Sequence, residues 1–184
     1  LWKFLRLGVT HIFAGYDHLC FLLALVLVST WRELVKIVTS FTVAHSLTLI
    51  AAALGWIQLP VRLVEPAIAA TIIYVAVQNV RAAQTVHRWR LTFAFGLVHG
   101  FGFASALKDL GLGRADLALP LVLFNLGVEA GQLAIVAAFL PLAYLLRRSW
   151  SYPRLVLTGG SLAVIAIALV WFTERAFDLQ LFPV

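Results

Sequence analysis

Long apolar runs dominate this chain, and charge, proline and glycine interrupt them at intervals. Taking the interruptions as boundaries predicts six helical spans, at roughly 8–29, 35–56, 62–80, 90–108, 117–146 and 154–173. A bilayer-crossing helix needs about 20 mostly apolar residues, which these runs supply. The fifth run is too long for a straight span, and Pro120 and Pro141 lie near its ends. Pro120 suits a first helical turn, whereas Pro141 should kink or shorten the far end. Trp2, Trp31, Trp56, Trp89, Trp150 and Trp171 all fall at or near a predicted span end, where an indole finds both apolar body contact and a polar partner.

Composition narrows the class further. The chain has 184 residues, 62% hydrophobic and 12% charged. Soluble domains carry roughly 25% charged residues, so a water-soluble domain, a disordered chain and a disulfide-stapled scaffold are all excluded, and the formal charge of +6 does not indicate nucleic-acid binding. The expected fold is an all-α, polytopic transmembrane helix bundle of about six spans. Residues 1–184 read as one membrane domain, the membrane part of a longer chain, because the sequence starts at Leu1 and holds no methionine. Lys and Arg set the orientation. Arg32, Lys36, Arg81, Arg88, Arg90, Arg147, Arg148 and Arg154 fall on one side, and Lys3, Arg6, Arg62, Lys108, Arg114 and Arg175 on the other. The bias predicts that both termini are extracytoplasmic. Oligomeric state is not legible.

Ionisable side chains inside spans are costly and by default point to function. The first span holds His11, Asp17 and His18 in HIFAGYDH. On a continuous helix His11 and His18 lie about 20° apart, with Asp17 rotated about 100° away toward a neighbouring helix. His45 occurs within FTVAHSLTL beside Ser46, and His99 within FGLVHGFGFA. Glycines 96, 100 and 102 would let the His99 helix approach a neighbour closely. Asn125, Glu129 and Gln132 form a polar stripe on the fifth helix, and Glu65 opens the third. The expected depths put His11 and Glu65 at an outer vestibule and His18, His45 and His99 near the midplane. His87 reads as a solvated loop residue, Cys20 as packing, and Phe93, Phe95, Phe101 and Phe103 as ordinary packing.

Imidazole with carboxylate is the ligand mix of borderline divalent cations such as nickel, cobalt, zinc and copper. One cysteine and no methionine make a poor Cu(I) carrier. The proposed ligand set is His11, Asp17, His18, His45, His99 and Glu129, with Ser46, Glu65, Asn125 and Gln132 supporting it. No catalytic residue is assigned. The same cluster leaves a second reading open, an intramembrane zinc-type hydrolase with Glu129 or Asp17 as general base. A third is haem bound between His45 and His99.

His11-x5-Asp17-His18 resembles the first-span motif of the HupE/UreJ family of nickel/cobalt permeases. The blocks FTVAHSLTL, FGLVHGFGFA and FNLGVEAGQ are similar to the branch whose membrane part follows an extracytoplasmic N-terminal region. The resemblance runs from about Leu7 to Arg148. It departs at the fourth span, where Ala94 and Gly102 stand in place of a histidine and a glutamate, so only His99 carries over from that motif. The resemblance implies a permease in the bacterial inner membrane, with a nickel or cobalt ion as substrate and the lipid bilayer as surroundings.

Overall fold

The computed structural model describes residues 1–27, 29–81, 87–103 and 117–180, and their regular structure is all helical. Among the described residues seven α-helices follow in order: α1 Trp2–Ala14, α2 Tyr16–Val26, α3 Trp31–Ala53, α4 Val61–Val80, α5 Arg88–His99, α6 Ala118–Arg147 and α7 Gly160–Phe177. A π-helical stretch, Tyr152–Gly159, leads into α7.

The first predicted span is not continuous. α1 and α2 meet at Gly15 with a bend of 71°. The cause is local, because a Cβ on Gly15 would fall 2.7 Å from His18 Nδ1 and 2.8 Å from the His11 carbonyl. Only a residue without a side chain lets the two helices fold toward each other there. α3 begins four residues before the predicted boundary because Thr30 and Glu33 form a capping box. The Thr30 hydroxyl accepts from the Glu33 N–H at 3.4 Å, and Glu33 Oε2 accepts from the Thr30 N–H at 3.0 Å. Arg32 and Lys36, placed on one side of the membrane from sequence, lie in the opening turns of α3.

Two helix pairs approach through glycine. On α1 and α6, a Cβ at Gly8 would meet the Phe124 carbonyl, and one at Gly127 would meet the Leu5 carbonyl. On α3 and α5, Gly96 faces the Phe41 carbonyl and Gly100 the His45 carbonyl. In lipid, close van der Waals packing of this kind replaces the hydrophobic drive between helices. α4 packs along α7. The end of α2 is held by Arg147, whose Nη2 donates to the carbonyls of Val26 and Ser29 at 2.9 Å each. Tyr152 Oη donates to the Leu27 carbonyl at 2.6 Å. These donors satisfy carbonyls that a helix C-terminus leaves without partners.

Among the described residues, four helical stretches are long and apolar enough to span a membrane, including Tyr152–Phe177, and the bent α1–α2 pair makes a fifth. The protein is thus an integral membrane protein. Described α5 is 12 residues long, or about 18 Å. The remainder of the fourth predicted span, from 104 to 108, lies outside the described residues, as do Lys108 and Arg114. α6 runs unbroken for 30 residues through Pro141, which does not end it. Trp2, Trp31, Trp56, Trp89 and Trp150 are exposed at helix ends. Trp171 instead packs against the core within α7, because that helix extends to Phe177.

Candidate metal centre

The bend at Gly15 decides the geometry of the site. Seven residues along a straight helix would separate His11 from His18 by about 10 Å along the axis. Across the bend their ring centroids are 4.8 Å apart. His11 is therefore not a separate vestibule residue, as the straight-helix reading expected, but a member of the cluster. α3 contributes His45, with its ring 6.1 Å from His11 and 6.4 Å from His18. One nitrogen from each of His11, His18 and His45 lies within 4.8 Å of the other two. α5 ends at His99, whose ring is 5.4 Å from His18. Gly96 and Gly100 bring this helix end against α3, and the C-terminal end of a helix favours a cation.

Aromatic rings pack against the histidine cluster. Phe103 lies 4.3 Å from the His11 ring and stacks on Phe124 at 4.9 Å. Phe41 stacks on His45 at 6.0 Å and meets His99 edge-on at 5.1 Å. Within this wall His11 Nε2, both nitrogens of His18, both of His45 and Nδ1 of His99 are buried without a hydrogen-bond partner. An unsatisfied buried polar group costs about 1–3 kcal/mol. Six such nitrogens at one place destabilise the fold unless something engages them. A neutral imidazole keeps one lone pair on one nitrogen, so a cation that prefers nitrogen donors could engage one nitrogen of each ring, while the N–H of His18 and of His45 would still need an acceptor.

The carboxylates are placed elsewhere. Asp17 forms a two-pronged ion pair with Arg175 of α7, at 3.0 and 2.9 Å, with both side chains about one-quarter exposed or less. Glu129 accepts from Thr39 Oγ1 at 2.7 Å. Neither belongs to the close nitrogen group. Gln132 Oε1 accepts from Thr42 Oγ1 at 3.0 Å, which ties α6 to α3. Asn125 donates to the Leu121 carbonyl on its own helix at 2.9 Å and sits beside His45, with its Oδ1 buried and unbonded. Ser46 donates to the Thr42 carbonyl at 2.6 Å, so its hydroxyl is committed to its own helix. Glu65 is half-buried near the start of α4, ahead of Pro66. His87 is exposed, and Cys20 packs beside the core.

Two contributors are missed by reading the sequence. Phe103, taken as general packing, walls the His11 side. Thr71 of α4 reaches His99 Nε2 at 2.8 Å. A single threonine in an apolar run carries no signal by itself, so only the packing of α4 against α5 reveals it.

A bent helix pair and two neighbouring helices bring four imidazoles together inside a polytopic membrane protein. The family model described as HupE / UreJ protein matches residues 1–175, and the chain belongs to that family. Membership implies transport of a metal ion as the broad function. No curated protein and no solved structure matches the chain.

Proposed function

We propose that the chain is a secondary permease for a divalent transition-metal cation, nickel or cobalt by family, in the bacterial cytoplasmic membrane. The observation that supports this reading most is the group of His11, His18 and His45, one nitrogen of each lying within 4.8 Å of the other two, with His11 Nε2 and both His18 nitrogens buried and unbonded. Imidazole donors suit nickel, cobalt, copper and zinc and discriminate against magnesium and calcium, which demand oxygen. His99 beside His18 offers a fourth nitrogen within the same pocket.

The charge balance of this set suits transport. Among the described residues no carboxylate belongs to the close group, so the bound cation's charge is not offset there, and its transfer across the bilayer is driven by the membrane potential. That potential is worth about 2.3 kcal/mol per elementary charge per 100 mV, doubled for a divalent ion. A site of neutral donors also binds less tightly than one with carboxylates, which favours release over storage.

The test is cobalt uptake into proteoliposomes under an inside-negative potential, with His18→Ala and His45→Ala as variants. Loss of uptake in both, with unchanged reconstitution, is expected. Full uptake in both removes the histidine group from the pathway.

A further inference from the structure

The hydrogen bonds around His99 permit one distribution of protons. Thr71 Oγ1 lies 2.7 Å from the Ile68 carbonyl oxygen and 2.8 Å from His99 Nε2. Two oxygens at 2.7 Å require a proton between them, because facing lone pairs repel at that distance. The carbonyl can only accept, so the hydroxyl proton of Thr71 is used there. Thr71 has no second proton and meets His99 as an acceptor. The Nε2 nitrogen of His99 therefore carries the ring hydrogen and donates it to Thr71.

We propose that Thr71 is a positioning residue that fixes His99 as the Nε2–H tautomer and leaves the lone pair of Nδ1 as its metal donor. The proposal rests on the metal reading above and extends it to an atom and a helix that the reading does not include. His99 Nδ1 is buried and has no hydrogen-bond partner. The aromatic rings around His99 are Phe21, Phe41 and His18, of which His18 alone is polar. Among the described residues no hydrogen bond reaches Nδ1, which lies on a ring in contact with another candidate ligand. Metal-bound histidines commonly donate their other N–H to a fixed acceptor, which sets the tautomer and the ring plane. Here that acceptor is supplied by α4, which contributes no histidine, so α4 joins the site through Thr71.

The inference is tested on the full chain in nanodiscs, labelled with 15N-histidine, with His99 assigned by the signals lost in His99→Gln. In the metal-free protein His99 should show a protonated, pyrrole-type Nε2 and an unprotonated, pyridine-type Nδ1. Thr71→Val should abolish this preference, and Thr71→Ser should restore it. The affinity for Co²⁺, read from its visible absorption, should fall about 10- to 100-fold in Thr71→Val and recover in Thr71→Ser. A protonated Nδ1 in the unsubstituted protein overturns the proposal. So does a Thr71→Val protein with both tautomer and affinity unchanged. Should Thr71→Val fail to fold, a protonated Nδ1 in Thr71→Ser is the overturning result. A protein that binds no Co²⁺ in any form overturns the metal reading, while the tautomer measured without metal still decides the role of Thr71.

Discussion

The four clustered histidines and the carboxylates near them began as one category, costly polar groups inside apolar helices, yet the tertiary structure treats them oppositely. Asp17 is paired with Arg175, and Glu129 and Gln132 accept from Thr39 and Thr42. Six imidazole nitrogens, by contrast, are buried with nothing to bond. The difference separates groups that hold the bundle together from groups held ready for something else. A satisfied polar group stabilises a particular packing of helices. An unsatisfied one lowers stability, a loss that a benefit such as the proposed metal binding would offset.

The sharpest way to break this comparison is to remove the unsatisfied nitrogens without opening a cavity. His45→Phe should abolish cobalt binding and raise the stability of the metal-free protein by about 1–2 kcal/mol. Binding is read by visible absorption and stability by thermal unfolding in detergent. A destabilised His45→Phe that still binds cobalt would show that His45 is a structural residue.

Gly100→Ala comes next. The added methyl has no room, because it would meet the His45 carbonyl and Thr48 Oγ1. Forcing α3 and α5 apart should cost about 1–3 kcal/mol and weaken cobalt binding as His99 withdraws. Unchanged stability would show that these helices do not rely on close approach.

On the satisfied side, Asp17→Asn leaves Arg175 without its carboxylate. The pair is partly exposed, so the cost should lie between that of a surface and a buried pair, about 1–2 kcal/mol. Adding Arg175→Gln should recover part of it, and a double-mutant cycle in thermal unfolding measures the coupling. Zero coupling would show that the ion pair contributes nothing. The smallest effect is expected for Glu129→Gln. Glutamine keeps an oxygen to accept from Thr39, so stability should change by less than about 0.5 kcal/mol and cobalt binding should stay within the error of the wild type. A large loss of binding would return Glu129 to the ligand set.

Much of this architecture was legible from local pattern. Apolar runs placed the second, third, fifth and sixth spans to within about four residues, and the glycines around His99 marked the helix that approaches α3. His18 and His45 were legible as candidate site residues because histidine in an apolar run is rare and expensive. The first span was misread as straight, since Gly15 does not announce whether it packs, bends or merely fills space. Its bend depends on His18 and the His11 carbonyl occupying the place of a missing side chain. That same bend moved His11 from an expected vestibule into the cluster.

The sequence by itself determined that this is a membrane-embedded helical bundle and which residue types are too polar for their surroundings. Both are local properties, set by hydropathy over a span and by the chemistry of one side chain. Only the tertiary structure decided which of those polar groups find partners. Arg175 lies 158 positions from Asp17, and Thr71 28 from His99. No periodicity links such pairs, because a hydrogen bond is specified by where two helices cross and by the length of the side chains there.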